Sequence, residues 1–252
     1  MTPALLASAL TLSPRPVVCL DTCTLFDLVR TMTGHPSRDH EAAIKSSDRP
    51  PSHARLVRDL EAAIKLTDAA VATPARAAVV VTDLVRLEWS QNLTKVAAGA
   101  TVAVWQFYQV LDTAKALGRT LPPPPDFTTF PSLMVDLVLA ASALLARGLT
   151  LDRDPACAGR AIDRVANKVR PAGESGEVKD ALHLEHYLEL SRMLGAAGAP
   201  PRRVFVSSDL KAFCVGSKDS PKLDPALAAN DFGPAGLEFY VSLGDAVDAL
   251  RI

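Results

Sequence analysis

The strongest constraint on this chain is a set of short apolar runs that do not alternate with polar residues. They are Val17–Leu20, Ala78–Thr82, Val204–Ser207 and Leu237–Val241, all rich in β-branched or aromatic side chains. A strand wetted on one face alternates; a strand covered on both faces does not, which is how strands of a parallel sheet read. Leu149–Asp152 is a weaker fifth candidate. Between these runs lie helical stretches: Thr22–Arg30, His53–Val71, Asp83–Ala98, Thr101–Leu117, Ser132–Ala146, Pro155–Val169, Val178–Leu194 and Gly244–Leu250. Strand-then-helix alternation predicts an α/β fold, a parallel sheet with helices on both faces. No second group of strands suggests another core. The 252 residues are therefore read as one domain, with a helical insertion at about 99–148. Thr33–Pro51, the four-proline run Pro122–Pro125 and Lys218–Pro234 read as loops.

Composition narrows the function. Hydrophobic residues are 48% of the chain, enough for a large core, and charged residues are 22%, an ordinary share. The net charge of −1 excludes a protein that coats nucleic acid through a basic surface. Any nucleic-acid contact must be local. Cys19, Cys23, Cys157 and Cys214 have no zinc-ligand spacing and read as small reduced core thiols. The first dozen residues lack a basic leader, and no apolar run is long enough to span a bilayer. A soluble, cytoplasmic protein is expected. There is no P-loop, no dinucleotide fingerprint and no serine-nucleophile motif. Gly173-Glu174-Ser175-Gly176 reads as a turn.

Acids stand where such a sheet binds ligands, beyond the carboxyl ends of its strands. Val17–Leu20 runs into Asp21, and Val204–Ser207 leads to Asp209. Ala78–Thr82 leads into a helix carrying Glu88, which shares a helical face with Leu84 and Val85. A carboxylate on an apolar face needs a partner, either an arginine or a cation. Asp180 has a similar setting one turn before Leu184. Each aspartate also has a plainer reading as a helix N-cap. Taken together, four hard-oxygen donors suit Mg²⁺ or Mn²⁺, and two such ions roughly 3.5–4 Å apart can drive phosphodiester hydrolysis.

The order of these motifs resembles the PIN-domain family of metal-dependent nucleases. The matching segments are Val18-Cys19-Leu20-Asp21-Thr22-Cys23-Thr24-Leu25, the helix-borne Glu88, Glu177-Val178-Lys179-Asp180-Ala181-Leu182, and Val204-Phe205-Val206-Ser207-Ser208-Asp209. They cover about a third of the chain. The resemblance implies a three-layer sheet of strand order 3-2-1-4-5, with Mg²⁺ or Mn²⁺ held by Asp21, Glu88, Asp180 and Asp209. It also implies cleavage of RNA and, as in many members, a toxin role with an antitoxin as protein partner; a homodimer is compatible with it. Cys23 stands where the family has Asn or Ser, and the chain is longer than a compact toxin.

Other residues surround that site in the sequence reading. Thr22 and Ser207 are expected to orient carboxylates or waters by hydrogen bonding. Lys179 and Lys211 adjoin the acids and are candidates for substrate contact. Arg160, Arg164 and Lys168 recur every four residues, as a solvated ion-paired face or as a phosphate-contacting stripe. His183 and His186 have zinc-like spacing without a third ligand and read as surface residues. The expected function is a metal-dependent endoribonuclease. The alternative is a non-catalytic module of the same fold that binds RNA or a protein. A phosphatase of the aspartyl-nucleophile type would want a second acid two residues after Asp21, where Cys23 stands.

Overall fold

The computed structural model describes residues 1–30, 53–118, 130–173, 177–198, 202–216 and 220–252. The chain is α/β. Its elements, in order, are α1 (Pro3–Leu12), β1 (Val17–Leu20), α2 (Thr22–Val29), α3 (His53–Val71), β2 (Ala78–Thr82), α4 (Asp83–Ala116), α5 (Phe130–Arg147) and β3 (Leu149–Leu151). There follow α6 (Pro155–Ala166), α7 (Val178–Ala196), β4 (Arg203–Val206), α8 (Leu210–Phe213), a small antiparallel pair β5 (Cys214–Val215) and β6 (Lys222–Leu223), β7 (Glu238–Tyr240) and α9 (Leu243–Leu250).

The main sheet is parallel, in the order β3-β2-β1-β4-β7. The central strands β1 and β2 are buried along their whole length, which is why their sequences do not alternate. Alternate residues still part to opposite layers. Val18, Leu20, Val79, Val81, Val204 and Val206 meet α2, α3, α5 and α9. Val17, Cys19, Ala78, Val80 and Phe205 meet α1 and α7. The core is thus two apolar layers with the sheet between them. Residues of the expected insertion belong to it: Met134, Leu137, Ala141 and Leu144 of α5 are buried in the first layer. No helix among the described residues is long and apolar enough to cross a membrane.

Several elements differ from the sequence reading. The two helices expected at Asp83–Ala98 and Thr101–Leu117 are one, α4. Gly99 between them lowers helix propensity by about 1 kcal/mol, which neighbouring turns outweigh. Helix α1 is not among the helices expected from the sequence, although Thr2 caps it, accepting from the Leu5 amide, and Pro3 opens it. The loop expected from Lys218 to Pro234 contains β6 and short helical turns, among them a π-helical turn at Ala228–Phe232. Asp224 starts those turns by accepting from the amides of Ala226 and Leu227. The loops expected at Thr33–Pro51 and Pro122–Pro125 lie outside the described residues, as do Glu174–Gly176. Helix α6 stops at Ala166 rather than Val169, and Lys168 takes a left-handed backbone conformation with φ 53°.

Candidate functional site

Strand order reverses between β1 and β4. From β1 the chain moves toward β2 and β3, and from β4 toward β7. A crevice opens at such a reversal, beyond the carboxyl ends of the strands. Leu20 pairs with Val206 at the ends of β1 and β4. Asp21 and Asp209 therefore leave the sheet at one edge.

Asp21 is buried, at 5% exposure. It caps α2, as the plainer sequence reading held, with Oδ1 accepting from the Thr22 amide at 2.6 Å. Its Oδ2 accepts from Ser207 Oγ at 2.7 Å and from the Cys23 thiol at 3.1 Å. Cys23 thus takes part in holding Asp21, as a weak S–H donor. Burial and the negative charge of Asp21 push that thiol well above its ordinary pKa, so it stays protonated. Ser207 is fully buried and joins two acids. It donates to Asp21 and accepts from the Asp209 amide at 3.2 Å.

Asp209 caps α8, accepting from the Ala212 amide at 2.9 Å. Burial raises its pKa, and the charge of Asp21 adds to the rise. Asp180 lies in the first turn of α7, whose N-cap is Glu177, not Asp180. It makes no hydrogen bond or ion pair with any described residue. Its carboxyl is pushed up to about 7, first by burial and then by the charges of Asp21, Asp209 and Glu177. Glu177 is a member of this neighbourhood that sequence reasoning passed over. Its place three residues before Asp180, on the approach to the helix, was the available signal.

Glu88 is held differently. Thr22 Oγ1 donates to its Oε2 at 2.6 Å, and Lys179 Nζ meets its Oε1 at 2.9 Å. Burial opposes its charge, but His183, Thr22 and Lys179 outweigh that and hold its carboxyl at about 2. Lys179 is thus engaged by an acid rather than left free for substrate. Lys211 is exposed and its side chain has no partner among the described residues.

His183 and His186 correct the surface expectation, since they are only 1% and 3% exposed. Helix α7 lies against the sheet, α1 and α6, so it is buried on more than one face. His186 is fully paired: Nε2 accepts from the Asp154 amide at 2.9 Å and Nδ1 reaches the Leu182 carbonyl at 2.7 Å. His183 Nδ1 lies 2.7 Å from Thr82 Oγ1, while its buried Nε2 has no hydrogen-bond partner.

The basic stripe is also corrected. Arg160 meets Glu185 at 2.7 Å and Glu189 at 2.8 Å, and Arg164 bonds Glu185 and Asp231. Glu185 and Asp231 are buried, so these guanidiniums are tied down as their counter-ions. Lys168 leaves the helical face because α6 has already ended. These three residues line a cavity of about 580 Å³ with Arg170, Asp224 and Asp231, and none of the four expected metal ligands borders it.

Four carboxylates therefore share the sheet's carboxyl edge, and their chemistry suits a hard divalent cation. Burial first, and then the negative charge of neighbouring acids, raises both Asp180 and Asp209. The geometry is looser than that chemistry. Among the described residues, no three His, Cys, Asp or Glu side chains are gathered closely enough to hold an ion as they stand. No family model matches the chain, and neither a curated protein nor a solved structure shows significant similarity to it.

Proposed function

We propose that this protein is a PIN-like, metal-dependent endoribonuclease, with Asp21, Glu88, Asp180 and Asp209 holding Mg²⁺ or Mn²⁺. One observation carries the reading. Asp180 has no hydrogen-bond or ion-pair partner among the described residues and lies close enough to Asp21 and Asp209 to feel their charges, where the sheet's strand order reverses. Such a cluster is costly for the fold and is explained if a cation completes it.

Asp21 and Asp209 are fixed by their caps and by Ser207, and each keeps acceptor capacity beyond those bonds. Asp180 is the most free to turn toward an ion, since no described residue holds it. Thr22 links the pairs, donating its amide to Asp21 and its hydroxyl to Glu88. A bound divalent cation supplies a water of lowered pKa and stabilises charge on the phosphodiester. Lys211 is placed two residues after Asp209 to contact a phosphate. RNA rather than DNA as substrate, and a toxin role with an antitoxin, rest on the family resemblance.

The test is cleavage of a mixed RNA pool with and without EDTA, comparing the parent with Asp21→Asn. Asn caps a helix about as well as Asp. Its amide nitrogen cannot accept from Ser207 and Cys23 as Oδ2 of Asp21 does. The variant is therefore expected to stay folded with a melting temperature lower by several °C, about 1–3 kcal/mol. Assayed well below that melt, it is expected to lose at least about 100-fold in rate, as for loss of a major electrostatic group. Activity that survives EDTA, or a fully active variant, sinks the metal-nuclease reading. The looseness of the acid cluster favours the second reading, a non-catalytic module that binds RNA or protein. In that case the parent binds RNA without cutting it.

A further inference from the structure

The two oxygens of Glu88 face different surroundings. Oε1 meets Lys179, whose side chain is 58% exposed and mobile by chemistry, a long flexible stem ending in a hydrated charge. Oε2 faces the interior, where Thr22 donates to it at 2.6 Å. Behind it stands His183, whose Nε2 is 3.6 Å from Oε2 and has no hydrogen-bond partner. That gap is just longer than a hydrogen bond. A buried polar atom left unpaired is costly, and Oε2 is the acceptor it faces.

The other ring nitrogen decides what Nε2 can do. Nδ1 is 2.7 Å from Thr82 Oγ1, which also accepts from the Val85 amide at 3.3 Å. A hydroxyl that accepts at the helix cap is free to donate its own proton to Nδ1. When it does, Nδ1 is the acceptor and the imidazole proton sits on Nε2, aimed at Glu88. The ring itself is buried and backed by a hydrogen-bonded frame. Thr82 is the last residue of β2, its amide donates to Tyr187 Oη at 3.2 Å, and Tyr187 donates in turn to the Leu20 carbonyl at 2.7 Å. This frame joins the carboxyl ends of β1 and β2 to α7.

We propose that His183 is a positioning residue whose Nε2–H, with the ring fixed through Thr82, holds Glu88 through Oε2 and leaves Oε1 for a divalent cation in place of Lys179. The inference rests on the metal-site reading above, and it names a residue of α7 that the four-acid motif does not include. His183 touches neither ion nor substrate; it acts by setting the direction of Glu88.

Two measurements test it, neither requiring RNA cleavage. In the ¹⁵N-histidine-labelled parent, long-range ¹H–¹⁵N spectra are expected to show the His183 proton on Nε2, with Nδ1 accepting. A proton on Nδ1 overturns the proposal, and this readout needs no variant to fold. Mn²⁺ affinity is then measured by calorimetry for the parent, His183→Gln and His183→Leu. Gln can place an N–H near the position of Nε2 and is expected to bind within about threefold of the parent. Leu cannot, and is expected to bind about 10- to 100-fold more weakly, the usual cost of losing a partner behind a metal ligand. A Leu variant as tight as the parent overturns the positioning role alone. A parent that binds no Mn²⁺ overturns the metal-site reading and this proposal with it.

Discussion

Asp180 is the residue on which the electrostatics of the site turn. An aspartate ordinarily titrates near 3.8, and in the fold this one is raised to about 7. Below the ordinary value it is protonated in both folded and unfolded chains and contributes nothing to pH dependence. As pH rises from there, the unfolded chain loses the proton first, and stability falls until about pH 7, where the full cost is reached. Asp180→Asn removes that cost. It is expected to raise the melting temperature at pH 8 by roughly 3–6 °C, from about 1–2 kcal/mol after allowance for partial exposure, and to change little at pH 4. Mn²⁺ is expected to stabilise the parent more than the variant; thermal melts at the two pH values check both. Equal gains at pH 4 and pH 8 would assign the effect to packing. Asp21 and Asp209 were legible in the sequence because strand ends announce themselves, and Asp180 because it precedes an apolar helix face by one turn. His183 was not, since its i,i+3 spacing from His186 on a mixed helix gives no sign of burial.

At the scale of elements, α6 and α7 are joined by the ion pairs of Arg160 and Arg164 with Glu185. Arg164 also reaches Asp231 in the π-helical turn. Removing Arg164 leaves two acids buried without it. Arg164→Met is expected to cost about 3 kcal/mol or more, as breaking a buried pair does, while RNA affinity stays within about twofold. A denaturant titration beside a binding assay separates the two effects. A variant of parental stability that binds RNA tenfold more weakly would restore Arg164 to the substrate surface. The four-residue recurrence of Arg160, Arg164 and Lys168 was visible in sequence, but the partners of Arg160 and Arg164 lie on α7 and in the turn after β6. Spacing along one helix cannot show what packs across from it. Gly99 illustrates the same limit: it reads as a break, yet a methyl there would meet nothing within 4 Å and the helix runs through it.

For the whole molecule, a net charge of −1 gives no overall basic character, and Arg160, Arg164, Arg170 and Arg202 are already engaged by acids. RNA binding is therefore expected to weaken with salt along a shallow slope, no steeper than about −3 on a log–log plot, from a handful of released counterions. A slope near −8 would mean a basic surface elsewhere. The α/β class and the buried strands followed from the sequence alone, because hydrophobic runs without alternation have one economical solution, a sheet covered on both faces. The strand-end positions of Asp21 and Asp209 came with that solution, since parallel strands all end at one edge. What only the tertiary structure decided is how the edge is wired. Lys179 on Glu88, Ser207 between Asp21 and Asp209, His183 under Thr82, and Arg164 on Asp231 are contacts between residues distant in the chain. Periodicity is a local property, fixed by the backbone's own repeat. Pairing of buried charges is settled only when helices dock and the cost of an unpartnered charge selects which groups meet.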